Sequence, residues 1–541
     1  MSGKLRIGTA MIALASAVAV LPGCGDGDDF DVSSQIGPDP VLPEPQRPLI
    51  ASVKVAEVVG WSDGQTPTVP EGLTVSAYAT ELANPRTVHT LPNGDVLVVQ
   101  SEAPPGKPVE RPKDLIRDWI MSLAKGGGGD EQDTNLITLL RDGDRDGTVD
   151  ERHDLLTDMN SPFGLAWYED TLYVATADAI LTYPYELGAN AIEAEPEVLT
   201  PLPGGPINHH WTKDLALSPD ARFLYASAGS NSNAAERGME AEKGRAAIWE
   251  VDRETGASRV FASGLRNPNG LTFHPETGEL WTVVNERDEL GPNLVPDYMT
   301  SVRDGGFYGW PWSYFGNHVD ERVKPERPDM VEQAIVPDYA LSSHVAALGM
   351  TFAARSALPE RYRGGAFVGE HGSWNRDQFN GYKVIFIPFE NGEPAGMAED
   401  VVTGFIEGDQ AYGRPVGVGI DGTGALLIAD DAGNTVWRVA AADGSVTPEP
   451  VGTDEAVVAA EGAREDGGAA AAGDAEGAGD ASQPAGEPSG ADAADDAEAA
   501  PDTEPAEEQE PAGEDEAPDD ASGNTTDPPN TEVAPAVLPE E

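Results

Sequence analysis

NPNGLTFHPETGELWTVV (267–284) holds two β-type runs, LTF and LWTVV, on either side of the turn sequence HPETG. A proline or small residue opens the unit, and a strand, a turn and a second strand follow. The same order of parts recurs as NPRTVHTLPNGDVLVV (84–99), SPFGLAWYEDTLYVAT (161–176), WTKDLALSPDARFLYASA (211–228), ALGMTFAARSALPERYRGGAFVG (347–369) and RPVGVGIDGTGALLIAD (414–430). Anchored on Pro85, Pro162, Thr212, Pro268, Ala347 and Pro415, the units lie 50 to 79 residues apart. A β-sandwich does not repeat one hairpin six times, whereas a propeller repeats it once per blade. The pattern predicts an all-β protein, a six-bladed β-propeller over residues 48–442. Closure is expected from 73–80 pairing beside 435–440, which joins the two ends of the body in one blade and removes a free edge. One helix is expected, at 112–125, where Leu115, Ile116, Trp119, Ile120 and Leu123 share a face and Gly126 marks the stop.

The flanks are of different material. Residues 1–24 begin with Lys4 and Arg6, continue through an apolar run from Ile7 to Leu21, and close on Leu-Pro-Gly-Cys. This composition reads as a secretion signal. Its last four residues resemble a lipobox, which makes Cys24 the expected lipidation site and the protein an exported lipoprotein facing the periplasm or the cell exterior. Cys24 is also the only cysteine, so an intrachain disulfide and a Cys-x-x-Cys-His haem attachment are both excluded. Residues 25–47, rich in Gly, Asp and Pro, are expected to form a flexible tether. No later segment has the ~18 apolar residues of a membrane helix, so attachment is expected through lipid alone. From 443 to 541 the chain is expected to be a disordered acidic tail. Residues 451–541 hold 27 Asp and Glu against one Arg and contain no aromatic residue. The whole chain carries −60. The part before that segment remains strongly acidic, which argues against a nucleic-acid partner.

In a propeller, residues just ahead of each innermost strand ring one mouth of the central channel. His210 and Arg266 stand two places before their anchors, Asn267 and Arg414 one place before, and His344 just ahead of the fifth unit. A base, two guanidinium groups and an amide at one mouth suit an anionic cofactor and a proton abstraction.

These residues lie in segments that carry a resemblance: HWTKDLALSPD (210–220), ASAGSNSN (226–233), GLRNPNGLTF (264–273), NERDELGPNLVPDY (285–298), GGFYGWPW (305–312) and GEHGSWNR (369–376). Together they make residues 71–440 resemble the soluble six-bladed sugar dehydrogenases that depend on pyrroloquinoline quinone (PQQ), nearest to the sorbosone dehydrogenase branch. The resemblance implies PQQ and calcium as cofactors, a sugar-type substrate, and a separate electron acceptor, a cytochrome or a membrane quinone. It implies that His210 is the general base, and that Arg266, Asn267 and Asn269 hold the quinone's carbonyl and carboxylates. The backbone carbonyls of Gly291 and Pro292 would ligate the catalytic calcium, and Arg414 would grip a PQQ carboxylate. The pattern departs from the family at His209, where its sugar dehydrogenases carry an acid, and at Val416, where they carry a second arginine. A family lysine also has no clear counterpart, and Arg376 is the substitute candidate.

Asp142, Asp144, Asp146 and Asp150 are spaced like the start of an EF-hand loop, but the twelfth position is His153 and the flanks read as strands. An acidic hairpin turn and a structural calcium loop both remain open here. Two other functions suit the same fold: a calcium-dependent hydrolase of the lactonase kind, and a non-enzymatic binding propeller at the cell envelope. His and Arg rather than Glu and Asp around the mouth argue against the hydrolase.

Overall fold

The computed structural model describes residues 30–47, 52–104, 134–353 and 355–447. The expected signal segment with Cys24, the helix at 112–125 and the chain after 447 lie outside the described residues. Among the described residues, six antiparallel sheets have four or more strands each. Their first strands are Pro85–Thr90, Leu165–Tyr168, Leu215–Leu217, Pro268–Phe273, Ala347–Phe352 and Pro415–Ile420. All six line one central channel, so the sheets are the blades of a propeller. We number them blades 1 to 6 in that order. Four of the six first strands begin at their anchor residue, and the other two begin three residues after it.

The middle strands explain the apolar runs in the sequence. Val96–Gln100, Leu280–Val284 and Leu426–Asp430 are buried at every position because a neighbouring blade covers each face. Strands at the rim, such as Glu151–Leu156, are buried only at one end and read as charged. Glycines set the spacing between blades: a Cβ on Gly349 would lie 2.3 Å from the Val416 carbonyl oxygen, and one on Gly417 would lie 2.6 Å from that of Arg86. The backbones of blades 5, 6 and 1 therefore approach to a distance that only glycine permits.

Closure follows the expected route, with Leu73–Ala79 antiparallel to Thr435–Ala441 as the outer strand of blade 6. The uneven spacing of the units has local causes. Blade 4 leaves its third strand at Ser301 and returns only at Tyr339, after an excursion that carries a short helix, Pro328–Gln333. Pro328 opens that helix, a start signal the β pattern had hidden.

Two boundaries differ from expectation. Residues 30–47 are not a free tether: Val32–Gln35 form a 3-10 turn, and Ile36–Gly37 pair with Ala340 and Leu341 as a fifth strand of blade 4. The edge of blade 4 offers unpaired backbone groups that a short strand satisfies, which composition alone does not reveal. At the other end, the tail does not begin at 443, because Thr447 N donates to Thr423 O at 2.9 Å and Arg145 reaches Thr447 O at 2.8 Å.

Candidate functional site

Because the innermost strands start at one end of the channel, the residues ahead of them meet there. Arg86 comes from blade 1, Phe163 from blade 2, His210 and Trp211 from blade 3, Arg266 and Asn267 from blade 4, His344 from blade 5 and Arg414 from blade 6. The Arg86 guanidinium lies 6.0 Å from the ring centres of both Phe163 and Trp211, which meet edge to face. It also pairs with Asp431 of blade 6. Gly229 leaves room for His210 and Asn267 to sit together, since a Cβ there would lie 2.2 Å from Asn267 Oδ1 and 2.6 Å from His210 Cβ.

His210 is half-buried, and its Nδ1 lies 2.7 Å from the Ser230 carbonyl oxygen. A carbonyl can only accept, so Nδ1 carries the proton and Nε2 is left with its lone pair. Burial, with the nearby Arg266 charge and His209, holds the imidazole pKa well below its usual 6.5, which keeps it neutral. Beneath it, Arg245 donates to the His210 carbonyl at 2.8 Å, and the wholly buried Lys213 lies among the carbonyls of residues 210–212. These contacts fix the backbone that presents the ring.

Arg266 is held differently from expectation. Its Nε donates to Asn233 O, Nη1 to Asn285 O and Glu286 O, and Nη2 to Asn233 Oδ1 and Asp288 Oδ2, at 2.7 to 3.5 Å. All five N–H groups thus have acceptors within the chain, and the group acts on the mouth through its charge. Asn269 is also tied inward, accepting from Thr212 and donating to Asn267 O. By contrast, Asn267 Oδ1, Arg414 Nε and Arg86 Nε are buried polar atoms with no hydrogen-bond partner in the chain. Arg414 is otherwise held through its own N–H on Asp430 and Nη2 on Tyr382.

The Gly291–Asn293 loop borders this ring. His344 Nε2 lies 3.2 Å from Gly291 O and its Nδ1 lies 3.4 Å from Asp288 Oδ1. Ser343 Oγ donates to Pro292 O at 3.4 Å, and Arg376 donates to Asn293 Oδ1 at 3.1 Å and to Ser343. His344 and Arg376 therefore brace the loop instead of presenting free donors to a cofactor. Each loop carbonyl has a second lone pair, and the Asp288 carboxylate stands beside them, an oxygen donor set that suits calcium. Burial opposes ionisation of Asp288, but the His344 contact and the Arg266 charge outweigh it and hold its pKa below the ordinary value.

Several groups at the mouth escaped the sequence reading. His371 Nε2 lies 3.0 Å from both oxygens of Asp431, whose pKa, despite burial, is held at about 2 by His371 and Arg86. Arg86 follows its anchor Pro85 by one place, so the offset argument could have reached it. Asp288 and His371 lie inside motifs already quoted, but nothing in a lone chain position says that they meet. The Asp142 loop turns the hairpin between the third and fourth strands of blade 1. Carboxylate oxygens of Asp142, Asp144 and Asp146 lie within 4.8 Å of one another. Asp150 is not among them; its carboxylate accepts from Gly143 N at 2.8 Å across the turn.

Fold and site together define a propeller with a cationic, histidine-bearing channel mouth. Residues 131–298 and 326–442, more than half of the chain, match the TrAA12-like family, and the chain belongs to that family. The solved PQQ domain of pyranose dehydrogenase from Coprinopsis cinerea, in its holo form, superposes with a TM-score of 0.56 at 19% identity. That match covers 71% of this chain and 100% of the other. A calcium structure of a Carbohydrate-Active Enzymes Family AA12 protein from Trichoderma reesei gives 0.56 at 19% identity, over 70% of this chain and 97% of that one. An uncharacterized protein of Borreliella burgdorferi is 26% identical over 293 residues, 52% of this chain and 76% of its own length.

Proposed function

We propose that this six-bladed propeller is a quinoprotein dehydrogenase that binds PQQ and calcium at the channel mouth and oxidises a sugar or sugar aldehyde. The observation that carries the reading is the set of buried, unpartnered polar atoms at the mouth, Arg86 Nε, Arg414 Nε and Asn267 Oδ1. The two guanidinium donors fit the carboxylates and carbonyls of a flat anion, and the Asn267 amide oxygen, which accepts, fits an N–H donor of the same ligand. The Gly291 and Pro292 carbonyls with Asp288 fit the calcium. When bound, PQQ supplies the hydride acceptor, chemistry that no side chain offers.

The chain's own residues do the rest. His210 Nε2 takes the proton of the substrate hydroxyl, because Ser230 holds the ring in the tautomer that leaves this nitrogen bare. Burial and the Arg266 charge keep that imidazole neutral before the step, and Arg266 supplies positive charge where negative charge develops. Trp211 and Phe163, with Arg86 across their faces, form an apolar wall of the mouth. One further observation favours a second assignment of the base: Asp431 orients His371 and would stabilise its imidazolium. Electrons leave to an external acceptor, a cytochrome or a quinone. We place the protein outside the cytoplasmic membrane, held by a lipid on Cys24.

The decisive experiment loads the purified protein with PQQ and calcium and follows dye reduction against a panel of aldoses and sugar aldehydes. Cofactor-dependent turnover is expected. Lactone hydrolysis without PQQ would favour the hydrolase, and PQQ-independent sugar binding without turnover would favour a binding propeller. For the lipid, Cys24→Ser should release the protein from membranes, and a variant that still sediments with them would remove that assignment.

A further inference from the structure

We infer that the N-terminal strap, residues 31–47, is a positioning element for the Gly291–Asn293 loop, with Gln35 as its working contact. The inference rests on reading that loop as the cation site. Gln35 is fully buried and its Nε2 donates to Asn293 O at 2.6 Å, from 258 positions upstream. Its own turn is held by Asp31, whose carboxylate accepts from Ser33 N at 3.0 Å, and by the strand Ile36–Gly37 that follows. Further along the strap, Gln46 N donates to Leu290 O at 2.8 Å. The Gln46 side chain packs on Gly291, so close that a Cβ there would lie 3.1 Å from Gln46 Cβ. Leu42 anchors the middle of the strap against the apolar core between blades 3 and 4.

The strap thus grips the loop at both ends, at residues 290 and 293. The two carbonyls between them are held from the opposite side by His344 and Ser343. Gly291 adopts φ +113°, a conformation with little intrinsic restraint, so the loop's shape comes from these neighbours. Carbonyls that must converge on one ion bind it more weakly when ordering them is part of the binding step. Gln35 therefore contributes to cation affinity without touching the cation.

The test uses the full chain with PQQ added and follows PQQ absorbance during a calcium titration, so that ions on the Asp142 loop go unread. Gln35→Met keeps the side chain's length and removes both the donor and the unpartnered Gln35 Oε1. It should raise the calcium midpoint by about three- to tenfold, the usual range for one hydrogen bond. Tm without metal should stay within about 2 °C, since the lost bond and the removed orphan atom offset each other. Amide exchange over 290–293 should quicken in the same variant. Val174→Ala, in the distant core of blade 2, should lower Tm and leave the midpoint alone. Equal shifts of the midpoint in both variants would reduce the strap to general packing and overturn the proposal. If the native chain shows no calcium response, the cofactor reading fails, and exchange alone judges the strap. Unchanged exchange over 290–293 would then refute it.

Discussion

His210 and His371 present the same chemical problem in two settings. Each has one ring nitrogen engaged by an acceptor, which leaves the other as a base. Burial, with the Arg266 charge nearby, disfavours the protonated form of His210, although its bond to the Ser230 carbonyl works the other way. His371 leans on a carboxylate, yet burial is the larger influence and its pKa is lowered too. Removing a general base costs about 10²–10⁴ in rate. His210→Ala should show that loss in kcat with PQQ affinity nearly intact, read by turnover and by PQQ titration. If His371→Ala shows it instead, the two roles exchange. Arg414→Met should weaken PQQ binding more than Arg266→Met does, because Arg414 keeps an unpartnered donor and Arg266 keeps none. Equal losses of PQQ affinity would contradict that ranking.

The blades were legible because each repeats one hairpin, and the six anchors in the sequence mark the six first strands. Less legible was what joins one blade to the next. Gly349 and Gly417 look like ordinary strand glycines, and only the packed structure shows a neighbouring backbone where their side chains would be. Gly349→Ala would push a methyl group against the Val416 carbonyl and the Gly417 Cα, atoms that cannot swing away. Overpacking of this kind costs about 1–3 kcal/mol. A urea titration should show that loss, with Gly364→Ala, whose nearest neighbour would be 3.9 Å away, nearly neutral. Similar stability in the two variants would mean the blades can shift apart freely. The strap was misread for a related reason. Gly, Asp and Pro suit a mobile tether equally well, and the strand edge that captures residues 36 and 37 belongs to a distant part of the chain.

Across the whole molecule, buried carboxyl groups contribute to the response to pH. Burial raises Asp214 and Asp430 to about 6, Asp297 to about 7 and Glu370 to about 8. Between their ordinary values and these, each of these groups binds more proton in the folded state than in the unfolded one, so their contribution to stability falls as pH rises from about 4 to 8. Asp320 and Asp431, held at about 2, work the other way: their stabilisation is present above about 4 and is lost as pH falls through about 2. These carboxyls by themselves favour about pH 4 to 5, while His210, His371 and Lys213, whose pKa values burial lowers, add stability as pH rises toward their ordinary values. Glu370→Gln should flatten the decline between about 4.5 and 8, seen as a smaller change of Tm with pH. An unaltered slope would show that Glu370 ionises freely. The sequence alone determined the class of fold, the number of blades, the closing strand pair and the end of the channel where chemistry gathers. Those follow from periodicity and offset, which are local and repeat along the chain. Only the tertiary structure decided that Asp288, His371 and Asp431 belong to the mouth, that Arg266 is fully engaged, and that residues 30–47 grip the Gly291–Asn293 loop. These are contacts between blades or between distant segments, and no spacing along a chain encodes which side chains will be neighbours once a ring has closed.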